Sequence, residues 1–187
     1  MSYVPEKDVI LETIGLRVVF FRSGDRYAHR VETCDAASNE WHATLESLEG
    51  EPGDEWPPSP PFQQLHVERR PTGLIVFLIG MAGRTHWSAA VEVAADRRSI
   101  QFDVAARVQL TPIQLGSEYL PSPQDTERGV DLPSPLEGEG AGVRGNGVRL
   151  ELSSPLLRDD RRIEPTTAET VPATIAWRYA VAVKHEA

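Results

Sequence analysis

With 187 residues, 40% of them hydrophobic and 25% charged, the chain is long enough for one domain with its own core and too short for two of ordinary size. A formal net charge of −9 excludes a nucleic-acid binder that works through a basic surface, since the pairs Arg69-Arg70, Arg97-Arg98 and Arg161-Arg162 are scattered through turns. Cys34, alone, cannot close an internal disulfide; the opening residues lack the basic start and apolar run of a leader; and the longest apolar run, 74–82, falls far short of the roughly 20 residues that span a bilayer, so a cytoplasmic protein with no membrane partner is expected.

Along the chain, apolar residues recur with period two or in short β-branched runs, and no stretch holds a helical repeat over three turns. Residues 9–14 fit a short helix or an added strand equally well. Residues 16–22 are a dense run of β-formers, and Gly24-Asp25 then leads into 26–33, which predicts a tight antiparallel hairpin. Residues 41–48 alternate weakly and 62–69 alternate clearly. Thr72-Gly73 turns the chain into 74–79, whose uninterrupted Leu-Ile-Val-Phe-Leu-Ile predicts a strand covered on both faces. In 86–94, Trp87, Ala89, Val91 and Val93 oppose His86, Ser88, Ala90 and Glu92. In 99–110 the apolar phase runs from Ile100 through Phe102, Val104, Ala106 and Val108 to Leu110. Residues 148–152 form a short alternating strand. In 173–184, Ile175, Trp177, Tyr179, Val181 and Val183 share one face. Phe102, Val104, Trp87, Val91, Ile175 and Trp177 are thus expected to be buried together. The reading is all-β: an antiparallel β-sandwich or closed β-barrel of about eight or nine strands with a long inserted loop, in a single domain over 1–187.

Two Pro-rich stretches, 50–61 and 112–147, exclude regular pairing. Inside the second, residues 132–145, Leu-Pro-Ser-Pro-Leu-Glu-Gly-Glu-Gly-Ala-Gly-Val-Arg-Gly, resemble the translation of an interspersed palindromic DNA repeat that recurs in otherwise unrelated bacterial proteins. The resemblance implies a bacterial source and a repeat insertion tolerated by a surface loop, placed at 113–147, and it says nothing about chemistry. Removing that loop would make 99–110 and 148–152 neighbours able to pair as a hairpin. The body of the chain resembles no family.

Three constellations carry enough chemistry to weigh. In Gly83-Arg-Thr-His-Trp-Ser88, Arg84, His86 and Ser88 share one face while Trp87 takes the other. Residues two apart on a strand stand side by side rather than in nucleophile-to-base contact, and no Gly-x-Ser-x-Gly elbow occurs, so a polar strand face is preferred to a catalytic serine. In Asp25-Arg-Tyr-Ala-His-Arg-Val-Glu32, Asp25, Tyr27, His29 and Val31 share a face, and Tyr27 with His29 is placed to line a pocket. His29, His66 and His86 fall in predicted strands. Without a His-x-His pair or close His/Cys/Asp spacing, no metal site is expected. Trp87, Trp177 and Trp41 are read as core, whereas Trp56, on the stiff Glu55-Trp-Pro-Pro loop, either plugs one end of the sheet system or covers a cavity. The glycines of 138–147 lack the strand-to-helix setting of a phosphate loop, so no cofactor is expected.

The expected function is therefore a non-catalytic module that binds a small polar or anionic ligand. Asp25, Tyr27, His29, Trp56, Arg84 and His86 are the candidate ligand-binding residues, gathered in one pocket: Arg84 and His86 would donate charge-assisted hydrogen bonds and Tyr27 with Trp56 would form an apolar wall. An acid/base or hydrolytic enzyme using His86 or His29 with Asp25 is the alternative. A structural subunit that forms a homo-oligomer through an exposed strand edge is the third reading.

Overall fold

The computed structural model describes residues 7–35, 37–122, 142–145, 148–153, 157–159, 161–166, 168 and 170–185, and among these every regular element is a strand. In chain order they are β1 (Val9–Thr13), β2 (Leu16–Ser23), β3 (Arg26–Cys34), β4 (Trp41–Ser47), β5 (Phe62–Arg70), β6 (Gly73–Ala82), β7 (Thr85–Val93), β8 (Ser99–Val108), β9 (Ser117–Pro121), β10 (Gly142–Gly145), β11 (Val148–Ser153), β12 (Leu157–Asp159), β13 (Arg162–Ile163) and β14 (Ala173–His185). They pair in the order β10-β11-β14-β8-β7-β6-β5-β3-β4-β9-β13-β12, with β1 and β2 branching from β3. The result is a nearly closed antiparallel barrel of nine strands.

Local chemistry explains the connections. Gly24 carries the positive φ, 59°, that a tight hairpin needs, and Ser23 and Arg26 close the ladder on either side of it. Residues 9–14 resolve as a strand because β1 lies against β2 from Val9↔Phe20 to Thr13↔Leu16 and sinks Leu11 into the core. Where β5 meets β6, Gly80 lets the chain pass within a distance no side chain would allow: a Cβ there would stand 1.9 Å from the Pro61 carbonyl oxygen. A bulge between Phe62 and Gln64 frees the Gln63 amide to take over the ladder. Its Oε1 accepts from the Met81 N–H at 2.7 Å and its Nε2 donates to the Met81 carbonyl at 2.9 Å.

The core follows the alternation. Phe102, Val104, Trp87, Val91, Ile175 and Trp177 are buried together, with the Trp87 and Trp177 rings edge to face at 6.1 Å and Phe102 stacked on Tyr179 at 4.7 Å.

Four expectations are corrected. The strand after Gly73 is covered on both faces only at its start, where Ile75 and Val76 are both buried: Leu78 also enters the core, but on the outward phase Phe77 is half-buried and Ile79 is 50% exposed. Strands β8 and β11 do not form a hairpin, because β14 stands between them, pairing with β8 from Ala173↔Val108 to Ala182↔Ser99 and with β11 on its other edge. Leu110 lies beyond the end of β8 and is exposed. Finally, the stretch read as the inserted loop 113–147 contains two strands: β9 pairs with β4 and buries Tyr119, and β10 pairs with β11 from Gly142↔Glu151 to Gly145↔Val148. Only 142–145 of the repeat-like segment falls within the described residues.

Candidate functional site

The six residues expected to share a pocket do not meet. Arg84 lies exposed in the turn before β7, and His86 points outward, because Trp87 takes the inward phase of that strand. Tyr27 and His29 take the inward phase of β3 and are buried with Val31. Asp25 sits in the exposed turn, where Arg26 Nε donates to its Oδ1 at 2.9 Å and holds its carboxyl below the usual range. Trp56 is half-buried, packs against the core from the 48–61 connection, and sides a shallow acidic groove with Leu48, Pro58, Ile113 and Glu118. The barrel wall therefore separates His86 from Tyr27 and His29.

Inside the wall, the polar atoms form a connected chain. His29 Nε2 and the Tyr119 hydroxyl share a hydrogen bond of 2.7 Å, and Tyr119 shares another of 2.7 Å with the Tyr179 hydroxyl. Trp177 Nε1 donates to Ser117 Oγ at 3.1 Å. The His29 N–H donates to Ser47 Oγ at 2.9 Å, and that hydroxyl donates in turn to Glu49 Oε1 at 2.5 Å. Burial sets the protonation states: it pushes His29 down to about 3, pushes both tyrosines up, and raises Glu49 to about 7 against the opposing pull of Ser47 and Arg26. Near neutral pH the histidine is uncharged and the tyrosines keep their protons. The chain ties β3 to β9 and β14 through the middle of the barrel, and a polar group that reaches its partner there avoids the cost of burial without one.

Elsewhere the barrel opens into a concave cleft. At one mouth of the barrel the β1–β2, β3–β4, β5–β6 and β7–β8 turns surround an open cleft of about 1210 Å³. Leu11, Ile14, Trp41, Leu74 and Val93 give it apolar walls, while Thr13, Asn39, Arg97 and Gln101 put polar groups around the opening. Trp41 is half-buried with the Arg17 guanidinium 4.4 Å above its ring, which fixes the plane of the ring at the cleft. Asn39 (φ 58°) and Arg97 (φ 53°), the non-glycine residues in left-handed backbone among those described, both line this cleft. Asn tolerates that conformation; Arg pays for it, and such cost concentrates where side-chain placement matters. The turn is pinned nonetheless: the Arg97 N–H donates to the Ala94 carbonyl at 2.9 Å, and Thr13 Oγ1 donates to the Arg97 carbonyl. Sequence reasoning missed this site because its residues come from four separate turns and share no spacing. Its one sequence signal was Trp41 at the start of a weakly alternating strand.

No protein-family profile, curated protein or solved structure matches the chain.

Proposed function

We propose that the protein is a small-molecule-binding barrel whose ligand enters the mouth cleft and is held there without chemical change. The single observation that carries this reading is the cleft itself, whose 1210 Å³ exceeds the roughly 300–1,000 Å³ of pockets that take drug-sized molecules and so leaves room for one, and whose apolar walls with few polar groups are the usual composition of such sites. The pairing of greasy wall and polar rim favours an amphipathic ligand: a ring system or short chain against Trp41, Leu74 and Val93, with a polar head at Asn39, Gln101 or Arg97. The left-handed backbone at Asn39 and Arg97, strained at Arg97, supports the same place.

The test uses a solvatochromic apolar dye such as Nile red. Saturable binding to the intact protein that is lost in Leu74→Glu and kept in His86→Ala supports the proposal. Absence of saturable binding, or binding indifferent to Leu74→Glu, overturns it. The Cys34 thiol lines the same cleft, and a fluorophore attached there should report displacement of the dye by candidate ligands.

A further inference from the structure

The outward face of β5, β6, β7, β8 and β14 is laid out so that it matches a second copy of itself. Its register arranges the side chains in four rows across the strands. The first row sets His86 beside Arg107, with Met81 on the β6 side. The fourth sets Glu92 beside Gln101. Between them lie Ile79 and Phe77 on β6 and the small side chains of Ser88 and Ala90 on β7. The remaining charges on the face cancel locally, Asp103 with Arg178 and Glu68 with Arg70 at 2.8 Å. What is left is a basic end that also carries Met81, an acidic end and an apolar middle around Ile79 and Phe77, with Ile79 and Met81 50% and 52% exposed.

We infer that this sheet face, rather than a strand edge, is a docking surface for a second copy of the chain, related by a two-fold axis that runs across the strands. That axis sets rows one and two of each copy on rows four and three of the other. His86 then meets Glu92, Arg107 stands over Gln101 one strand spacing from that Glu92 and within reach of it, Ile79 meets Phe77, and the small residues of β7 meet each other, which lets the two sheets approach. A hollow of about 550 Å³ beside Ile79, Met81, His86 and Arg107 gives the other copy's Glu92 somewhere to sit. Five strands and four such rows make a patch of roughly 600 Å² per copy from strand spacings alone. A specific interface buries about 800 Å² per partner, so the expected dimer is reversible rather than permanent. Its charge pairs must also outweigh the general repulsion of two chains of net charge −9, which opposite ends in register can do and a uniformly acidic face could not.

Sedimentation of the full chain across micromolar to submillimolar concentrations tests the inference. A reversible dimer is expected, abolished by Ile79→Lys and weakened about tenfold or more by Arg107→Glu or Glu92→Arg alone. The decisive variant is Arg107→Glu combined with Glu92→Arg, because the two positions meet only across the proposed axis. Recovery of the dimer in that double variant is what a merely structural effect of either change would not produce. A protein that stays monomeric over the whole range, or whose dimer is indifferent to all of these changes and so forms through a strand edge or another surface, overturns the inference. So does a dimer that the double variant fails to restore. A wild-type chain that binds Nile red saturably at the mouth yet stays monomeric counts against this inference alone; because Glu92 and Gln101 also line the mouth, Ile79→Lys is the variant that separates the two readings.

Discussion

Glu49→Gln should change how stability depends on pH between 4.5 and 7, where the wild type carries two opposed slopes, one from Glu49 and one from His29, and the variant keeps only the second. Burial raises the Glu49 carboxyl from 4.5 to about 7, while the bond from Ser47 and the charge of Arg26 pull it down and Glu46 and Asp25 push it up. Its folded state therefore holds a proton that the unfolded chain gives up. The stabilisation is fully present below 4.5, is lost as pH rises from 4.5 through 7, and changes no further above that. At about 1.4 kcal/mol per pH unit, the full loss is about 3 kcal/mol, a large share of the stability of a domain this size. Glutamine keeps the acceptor for Ser47 and puts an uncharged NH2 where Glu49 Oε2, buried and without a partner among the described residues, now lies. Glu49→Gln should thus match the wild type near pH 4 and exceed it by up to about 3 kcal/mol near pH 8. Urea unfolding of both proteins at pH intervals, with the slope checked for constancy, reads the difference directly. Parallel curves for the two proteins would refute the assignment of a buried, protonated carboxyl at position 49.

The acid limb has the opposite sign. His29, held neutral with its pKa pushed down to about 3, contributes stability that is lost as pH falls from 6.5 toward 3, so the Glu49→Gln variant should weaken steadily over that window and His29→Gln should flatten the fall. Trp177→Ala should cost about 3–5 kcal/mol by chemical denaturation, because it empties the edge-to-face contact with Trp87 and leaves Ser117 without its donor. Gly80→Ala should cost about 1–3 kcal/mol although it adds one methyl group, since that methyl meets the backbone oxygen of Pro61 rather than a movable side chain; a thermal midpoint within a degree of wild type would show that the β5 bulge gives way cheaply.

What was legible in the sequence was whatever rests on parity. In β7, β8 and β14 the two faces differ along eight or more residues, so the inward sets could be read off directly, and Trp87, Phe102, Ile175 and Trp177 pack as their phases require. Parity also placed Tyr27 and His29 on the same face as Val31. It could not say that this face is sealed, because that depends on Tyr119. Strand β9 is only five residues long and ends in proline, so no alternation long enough to recognise surrounds its buried tyrosine. Without Tyr119 in view, an inward Tyr-x-His reads as the lining of a pocket. With it, the same pair is part of a hydrogen-bonded core.

The mouth cleft was hidden for a different reason, and that reason bears on how a site can be placed in a barrel of this kind. Side chains within the wall are committed to the core or to solvent by the alternation, so a strand residue can serve a ligand only by giving up one of those roles. Turns carry no such commitment. The four turns at the mouth hold Ile14 with 73% of its surface exposed and hold Asn39 and Arg97 in left-handed backbone. Neither exposure of a large apolar side chain nor a strained Arg helps the fold by itself. Both are tolerable because the barrel core is built from other residues, and both place functional groups where wall geometry does not dictate the outcome. Such a site is assembled by topology from residues scattered over the chain. Its members become neighbours only after β1 has been laid against β2 and the β7–β8 turn has been pinned by Thr13.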